Sequence, residues 1–198
     1  MPRVVQQALL TATVSAVVAC SGKSQSVSSE PAPSAAAPVP RPAATDSAPI
    51  PADTGWIQSD SAQRTVTLSL VVTKPVGSPS ALISGYRSGQ ARIEVPVGWT
   101  VKWNWRNDDP GAAHSLVVMT QREKVPLEGG RASFSNAMSR SVTEGLATGQ
   151  SDQTTFEAEE AGWYWLMCGV PNHALNGEWL ELRVSPDAQA GSVHLKER

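Results

Sequence analysis

The sequence predicts an all-β domain, a Greek-key β-sandwich, and three observations predict it. After Trp56 the chain breaks into short runs rich in β-branched and aromatic residues. Clusters of Gly, Pro, Asn and Asp separate the runs. No long stretch repeats its apolar residues at the period of an amphipathic helix. The spacing and number of the runs suit one two-sheet domain of roughly 130 residues.

The runs, in order, are TVTLSLVV (65–72), ARIEV (91–95), WTVKWNW (99–105), HSLVVM (114–119), TTFEA (154–158), GWYWLMC (162–168) and EWLELRV (178–184). In WTVKWNW, Trp99, Val101, Trp103 and Trp105 alternate with Thr100, Lys102 and Asn104, the pattern of a strand with one buried face, so most tryptophans are expected in the core. PVG at 96–98 and NDDPG at 107–111 read as turns. The segment from about 121 to 152 has no clear period and reads as a long excursion with room for a short helix.

Both ends differ from this domain. Residues 2–19 carry Arg3 and then an almost uncharged run, too short for a bilayer span and typed like a secretory signal. The run stops at Val17-Val18-Ala19-Cys20, similar to the lipobox at which bacterial lipoprotein signals are cut and the cysteine is lipidated. Residues 1–20 are therefore expected to be a lipoprotein signal ending at lipidated Cys20, and several acyl chains would hold the protein firmly on a membrane. The expected location is exported and lipid-anchored, facing the periplasm or the cell exterior. Residues 21–58, dominated by Ser, Ala and Pro, read as a flexible linker that carries the domain away from the lipid. The domain is assigned to 59–187. Residues 188–198, with GSVHLKER at their end, read as a solvated polar tail in which His194 is a surface residue.

Charge excludes one class of partner. With 16 Lys and Arg against 18 Asp and Glu, and no basic run, nothing suggests nucleic acid. The two cysteines do not form a disulfide framework either, because Cys20 is assigned to the anchor and Cys168 is left alone in the domain.

A lone exported thiol calls for an explanation, and its neighbours supply one. In CGVPNHALNGEW (168–179), Cys168 closes an apolar strand, His173 follows in a turn with Pro171 and Asn172, and Glu178 comes after Gly177. His114 arrives from another strand. One thiolate and two imidazoles form a set most like trigonal electron-transfer copper. Zinc is the chemical rival, but structural zinc sites use more thiolates at short paired spacings, and no CxxC or HxxxH is present. Taken singly, a strand-end cysteine is usually a buried small hydrophobe and a strand histidine an ordinary packed residue, so the weight lies on their combination.

Three stretches carry a family resemblance: SGYRSGQARIEVPVGWTVKWNWRN (84–107), AAHSLVV (112–118) and AGWYWLMCGVPNHALNGEWLELRV (161–184). Together, over roughly residues 65 to 185, they resemble the blue copper (cupredoxin) superfamily and within it the sulfocyanin family. The resemblance implies a cupredoxin-type β-sandwich holding one mononuclear copper ion, cycling between Cu(II) and Cu(I), through His114, Cys168 and His173. It also implies a monomeric electron carrier whose partners are redox proteins such as cytochromes or a terminal oxidase.

Two positions depart from the family pattern. Sulfocyanins place Met where this chain has Glu178, so the axial position falls to a carboxylate; Met167, Met119 and Met138 have no claim to it. Many cupredoxins have Asn after the upstream histidine, where this chain has Ser115, the candidate for tying the ligand loops together. A hard anionic axial ligand is expected to lower the reduction potential and move the colour from blue toward green or red, whereas a Glu178 turned outward would leave a three-coordinate or water-bound ion. A small copper redox enzyme with an open ligand position, or a copper storage or delivery protein, are the competing functions. The four Met and three His are few for storage.

Overall fold

The computed structural model describes residues 55–196. The predicted signal, the lipidation site at Cys20 and the linker as far as residue 54 lie outside the described residues.

Ten strands and no helix make up the described residues: β1 (Ile57–Asp60), β2 (Thr65–Thr73), β3 (Leu82–Ile83), β4 (Ala91–Pro96), β5 (Thr100–Asn107), β6 (Val117–Thr120), β7 (Ser151–Glu157), β8 (Gly162–Met167), β9 (Trp179–Ser185) and β10 (Ser192–Leu195). One sheet runs β1-β2-β5-β7 with β3 against β2; the other runs β10-β4-β9-β8-β6. Parallel pairs β2/β5 and β4/β9 interrupt otherwise antiparallel ladders, so the chain crosses repeatedly from one sheet to the other. The class is the predicted all-β sandwich.

Alternation along the strands builds the core. On β2, Val66, Leu68, Leu70 and Val72 point inward, and on β5, Val101, Trp103 and Trp105 do the same. They meet Ile93, Val95, Leu166, Leu180 and Leu182 of the opposite sheet in one apolar cluster. Trp103 is fully buried and meets Phe156 edge-on at 5.5 Å between ring centroids. Trp103→Ala is expected to cost about 3–5 kcal/mol, because removing a fully buried indole leaves a cavity between the two sheets. Urea unfolding measures it, and a loss below ~1 kcal/mol would show that the cavity closes.

Three expectations need correction. The excursion between β6 and β7 contains no helix; it is pinned by backbone bonds and by Phe134, which stacks on Phe156 at 5.7 Å and leans on Tyr164 at 4.7 Å. The stretch Ser192–Leu195 is not a solvated tail but strand β10, pairing antiparallel with β4 from Ser192↔Glu94 to Leu195↔Ala91. Val193 is its fully buried residue, and His194, far from being a surface residue, places Nε2 3.0 Å from Glu94. A short edge strand with one inward apolar residue looks polar in sequence, yet β4 needs a partner along its free edge. At the other end β1 starts at Ile57, inside the stretch assigned to the linker.

Candidate metal centre

The second sheet delivers the ligand loop. Its strand β8 ends at Met167, so Cys168 is the first residue beyond the ladder, and the chain turns through 169–178 before β9 begins. Backbone bonds tighten this turn, from His173 N–H to Val170 O, Asn176 N–H to Asn172 O and Glu178 N–H to His173 O. Cys168 N–H donates to Glu178 O at 3.0 Å, which closes the loop and sets thiol and carboxylate side by side. Gly177 adopts φ +103°, and a Cβ there would collide with Ser88 Oγ, so only glycine passes the chain into Glu178 at this point.

His114 comes from the connection between β5 and β6. It exchanges two backbone hydrogen bonds with Leu146 of the excursion, N–H to O at 3.1 Å and O from N–H at 2.6 Å. The sequence-predicted His114, Cys168, His173 and Glu178 are thus brought together, with one donor atom from each lying within 4.8 Å of the others. His114 Nδ1 lies 3.9 Å from Cys168 Sγ and 3.2 Å from His173 Nδ1, and Cys168 Sγ lies 3.5 Å from His173 Nδ1. Glu178 points inward rather than to solvent, with Oε1 2.8 Å from His114 Nδ1 and Oε2 3.2 Å from His173 Nδ1.

This set fits a soft cation. Two imidazole nitrogens face each other across 3.2 Å with a sulfur beside them, so three electron-rich atoms converge on one point. Glu178 Oε1 is buried with no hydrogen bond directed at it, although His114 Nδ1 is near. A buried acceptor without a donor is costly, and a cation among these atoms removes that cost.

In the metal-free protein protons take the cation's place. Burial pushes the Cys168 thiol well above its ordinary value, and the charge of Glu178 adds to that. Burial opposes charge on His114, but its contacts with Glu178 and then Asp109 outweigh burial and raise its pKa. Burial would likewise raise Glu178, yet His114 and His173 outweigh it and hold the carboxyl below its usual range.

Ser115 ties the site together. It is fully buried; its hydroxyl donates to Val142 O at 2.6 Å and accepts from Gly169 N–H at 2.9 Å, while its backbone N–H points at Cys168 Sγ from 3.4 Å. The excursion then straps the ligand turn from outside, through Gly129 N–H to Gly169 O and Asn172 N–H to Leu127 O. At Gly169 a Cβ would lie 2.8 Å from Val142 O, so strap and ligand turn touch backbone to backbone.

One residue at the site escaped the sequence analysis. Asp109 is buried, with Oδ2 2.9 Å from His114 Nε2. NDDPG is legible only as a turn, and nothing in it separates Asp109 from Asp108, which forks onto Arg106 at 2.6 Å and is partly solvent-exposed. Of the methionines without a claim, Met167 is buried with Val117, Trp165 and Ala174, Met119 accepts Gly130 N–H at 3.5 Å, and Met138 is exposed.

Comparison with known proteins adds the family. A sequence model of the Sulfocyanin (SoxE) domain matches residues 53–192. Sulfocyanin of Sulfolobus acidocaldarius is 27% identical over 137 residues, 66% of this chain and 68% of that protein. Among solved structures, rusticyanin of Thiobacillus ferrooxidans (19% identity, TM-score 0.41, 62% of this chain and 82% of that one) and auracyanin of Roseiflexus castenholzii (20%, 0.41, 60% and 97%) are similar. The cofactor is one copper ion, for which the His, Cys, His and Glu cluster is suited. With the domain match covering most of its length, the chain belongs to the sulfocyanin family of the cupredoxins, copper proteins of electron transfer.

Proposed function

We propose that this protein is a single-electron carrier between membrane-associated redox partners of a respiratory chain, exported and held on the membrane through lipidated Cys20, with copper held by His114, Cys168, His173 and Glu178. Copper supplies the one-electron couple between Cu(II) and Cu(I). The residues supply everything else: Cys168 a soft thiolate, the histidines neutral nitrogens, and Glu178 a hard anion against them. The turn and its strap hold these donors in one arrangement through main-chain hydrogen bonds.

One observation carries the reading. His173 is the only member of the cluster whose side chain reaches solvent, at 24% exposure against 2% for His114 and Glu178, while Cys168 is fully buried. Exposed Leu175 lies two residues beyond it, and exposed Leu127 is hydrogen-bonded through its carbonyl to Asn172. A wet imidazole edge, with exposed leucines on the same turn and its strap, suits brief contact with another redox protein better than the capture of a substrate. The cavity beside the donors, lined by Asp109, His114, His173, Asn176 and Glu178 among others, has about 70 Å³, room for a few water molecules and far below an organic substrate's needs.

Cys168→Ala is expected to abolish the thiolate-to-copper absorption and reversible one-electron voltammetry while the apo domain stays folded by circular dichroism. Oxidation of the reduced soluble domain by respiratory membranes of the source organism should be lost with it. An unchanged visible spectrum in Cys168→Ala would refute the assignment.

A further inference from the structure

The geometry points to Asp109 as a positioning residue that fixes the orientation and tautomer of His114 and adds a second buried carboxylate to the copper centre. The proposal rests on the copper reading above and goes beyond its ligands.

His114 has two ring nitrogens with different neighbours. Nδ1 faces Cys168, His173 and Glu178; Nε2 faces Asp109 Oδ2 at 2.9 Å. Asp109 accepts the Nε2–H proton, which leaves Nδ1 with its lone pair toward the donors that converge on the metal. An imidazole that donates one N–H to a carboxylate is also a stronger electron donor at the other nitrogen.

The carboxylate is itself held. Its Oδ1 accepts Gly111 N–H at 2.8 Å, its backbone N–H donates to Asn107 Oδ1 at 2.9 Å, and its carbonyl accepts the Thr148 hydroxyl at 2.5 Å. Asn107 is fully buried, and its amide donates to Ala112 O and Leu146 O, both at 2.8 Å; Leu146 is the residue that clamps the His114 backbone. One buried network therefore runs from the end of β5 through Asp109 to both the ring and the backbone of His114.

The residue type follows from this. Both carboxylate oxygens face donors, Gly111 N–H and His114 Nε2–H, so the position requires a group that only accepts. Asparagine satisfies one of them and turns its NH2 against the other; alanine satisfies neither. With the Cys168 thiolate and Glu178, Asp109 is the third negative group within one buried shell, and each such charge favours the dication over the monocation.

The test compares Asp109→Asn, Asp109→Ala and the control Asp108→Asn in the copper-loaded domain, reading reduction potential, the paramagnetic spectrum of the oxidised form, and copper affinity in competition with a chelator. Asp109→Asn should shift the Cu(II)-to-Cu(I) affinity ratio by about tenfold toward Cu(I), which for one electron is a rise of ~59 mV. Asp109→Ala should in addition lower Cu(II) affinity roughly 10–100-fold and alter the paramagnetic spectrum, because the ring loses its anchor. Asp108→Asn should leave all three readouts unchanged. If both Asp109 variants keep the wild-type potential, spectrum and affinity, and differ only in melting temperature, Asp109 is a structural turn residue and the proposal fails. That outcome is separable from failure of the copper reading, which shows in the wild type and Cys168→Ala alone.

Discussion

Replacing Glu178 with methionine raises the reduction potential of the copper-loaded domain by roughly 100 to 200 mV. The side chain is buried, points at the other donors and is held below the ordinary carboxylate range by its histidine neighbours, so it is an anion where the family has a neutral thioether. At an effective dielectric near 20, a unit charge about 4 Å away is worth ~4 kcal/mol, and the difference between a dication and a monocation is one such unit. Movement of neighbouring dipoles and of the two histidines offsets part of this. With ~59 mV per tenfold change for one electron, a few kcal/mol become a shift of the stated size. The spectrum should move with the potential, because Glu178 competes with the thiolate for the metal; its removal strengthens the sulfur bond and turns the colour toward blue. Cyclic voltammetry and visible absorption of the two proteins check it. Identical potentials and spectra would mean that Glu178, although buried beside the histidines, does not act on the metal.

How much of this could be read from the sequence depends on where the information lies. The sandwich was legible because alternation along WTVKWNW and the apolar runs of β2 and β8 record burial residue by residue. The ligand turn was legible because Cys168, His173 and Glu178 follow one another within a single loop, and residues this rich in chemistry are conspicuous in an otherwise apolar stretch. Asp109 was not, since an aspartate before Pro110 is an ordinary turn residue, and only the folded turn, with Gly111 N–H on its Oδ1, turns it toward His114 while its neighbour Asp108 turns out to Arg106. Strand β10 was hidden because four residues with one inward valine carry almost no periodic signal, while the hydrogen bonds that fix it belong to the edge of a strand far away in sequence. The strap illustrates the general limit. It holds the site through Gly129 N–H to Gly169 O, Asn172 N–H to Leu127 O and the double bond pair of His114 with Leu146, all main-chain contacts that no side-chain pattern announces.

Copper uptake should release protons, and the affinity for Cu(II) should rise steeply with pH. In the metal-free domain Cys168 is a neutral thiol, since burial and Glu178 both raise its pKa, and His114 keeps its proton to higher pH than an ordinary imidazole. Binding requires a thiolate and a neutral Nδ1 on His114, so the thiol gives up one proton per copper, and below the folded pKa of His114 that ring gives up a second. The part of the affinity that Cys168 and His114 control then climbs by roughly 100-fold per pH unit below the folded pKa of His114 and roughly tenfold per unit above it. The stability of the metal-free domain follows His114 and its two carboxylate neighbours, with opposite signs. His114 is raised, so its contribution is complete below its unfolded value near 6.5 and is lost as the pH rises through the folded value. Glu178 and Asp109 are lowered, so theirs are complete above their unfolded values near 4 and are lost as the pH falls through the folded ones. The metal-free melting temperature should therefore be highest between these limits and decline on the alkaline side, less so in Glu178→Gln, where the main partner that raises His114 has lost its charge. Titration calorimetry in buffers of different ionisation enthalpy counts the protons directly. Uptake that releases none at neutral pH would show that Cys168 and His114 are already deprotonated, and that the buried carboxylates do not hold a proton in the copper position.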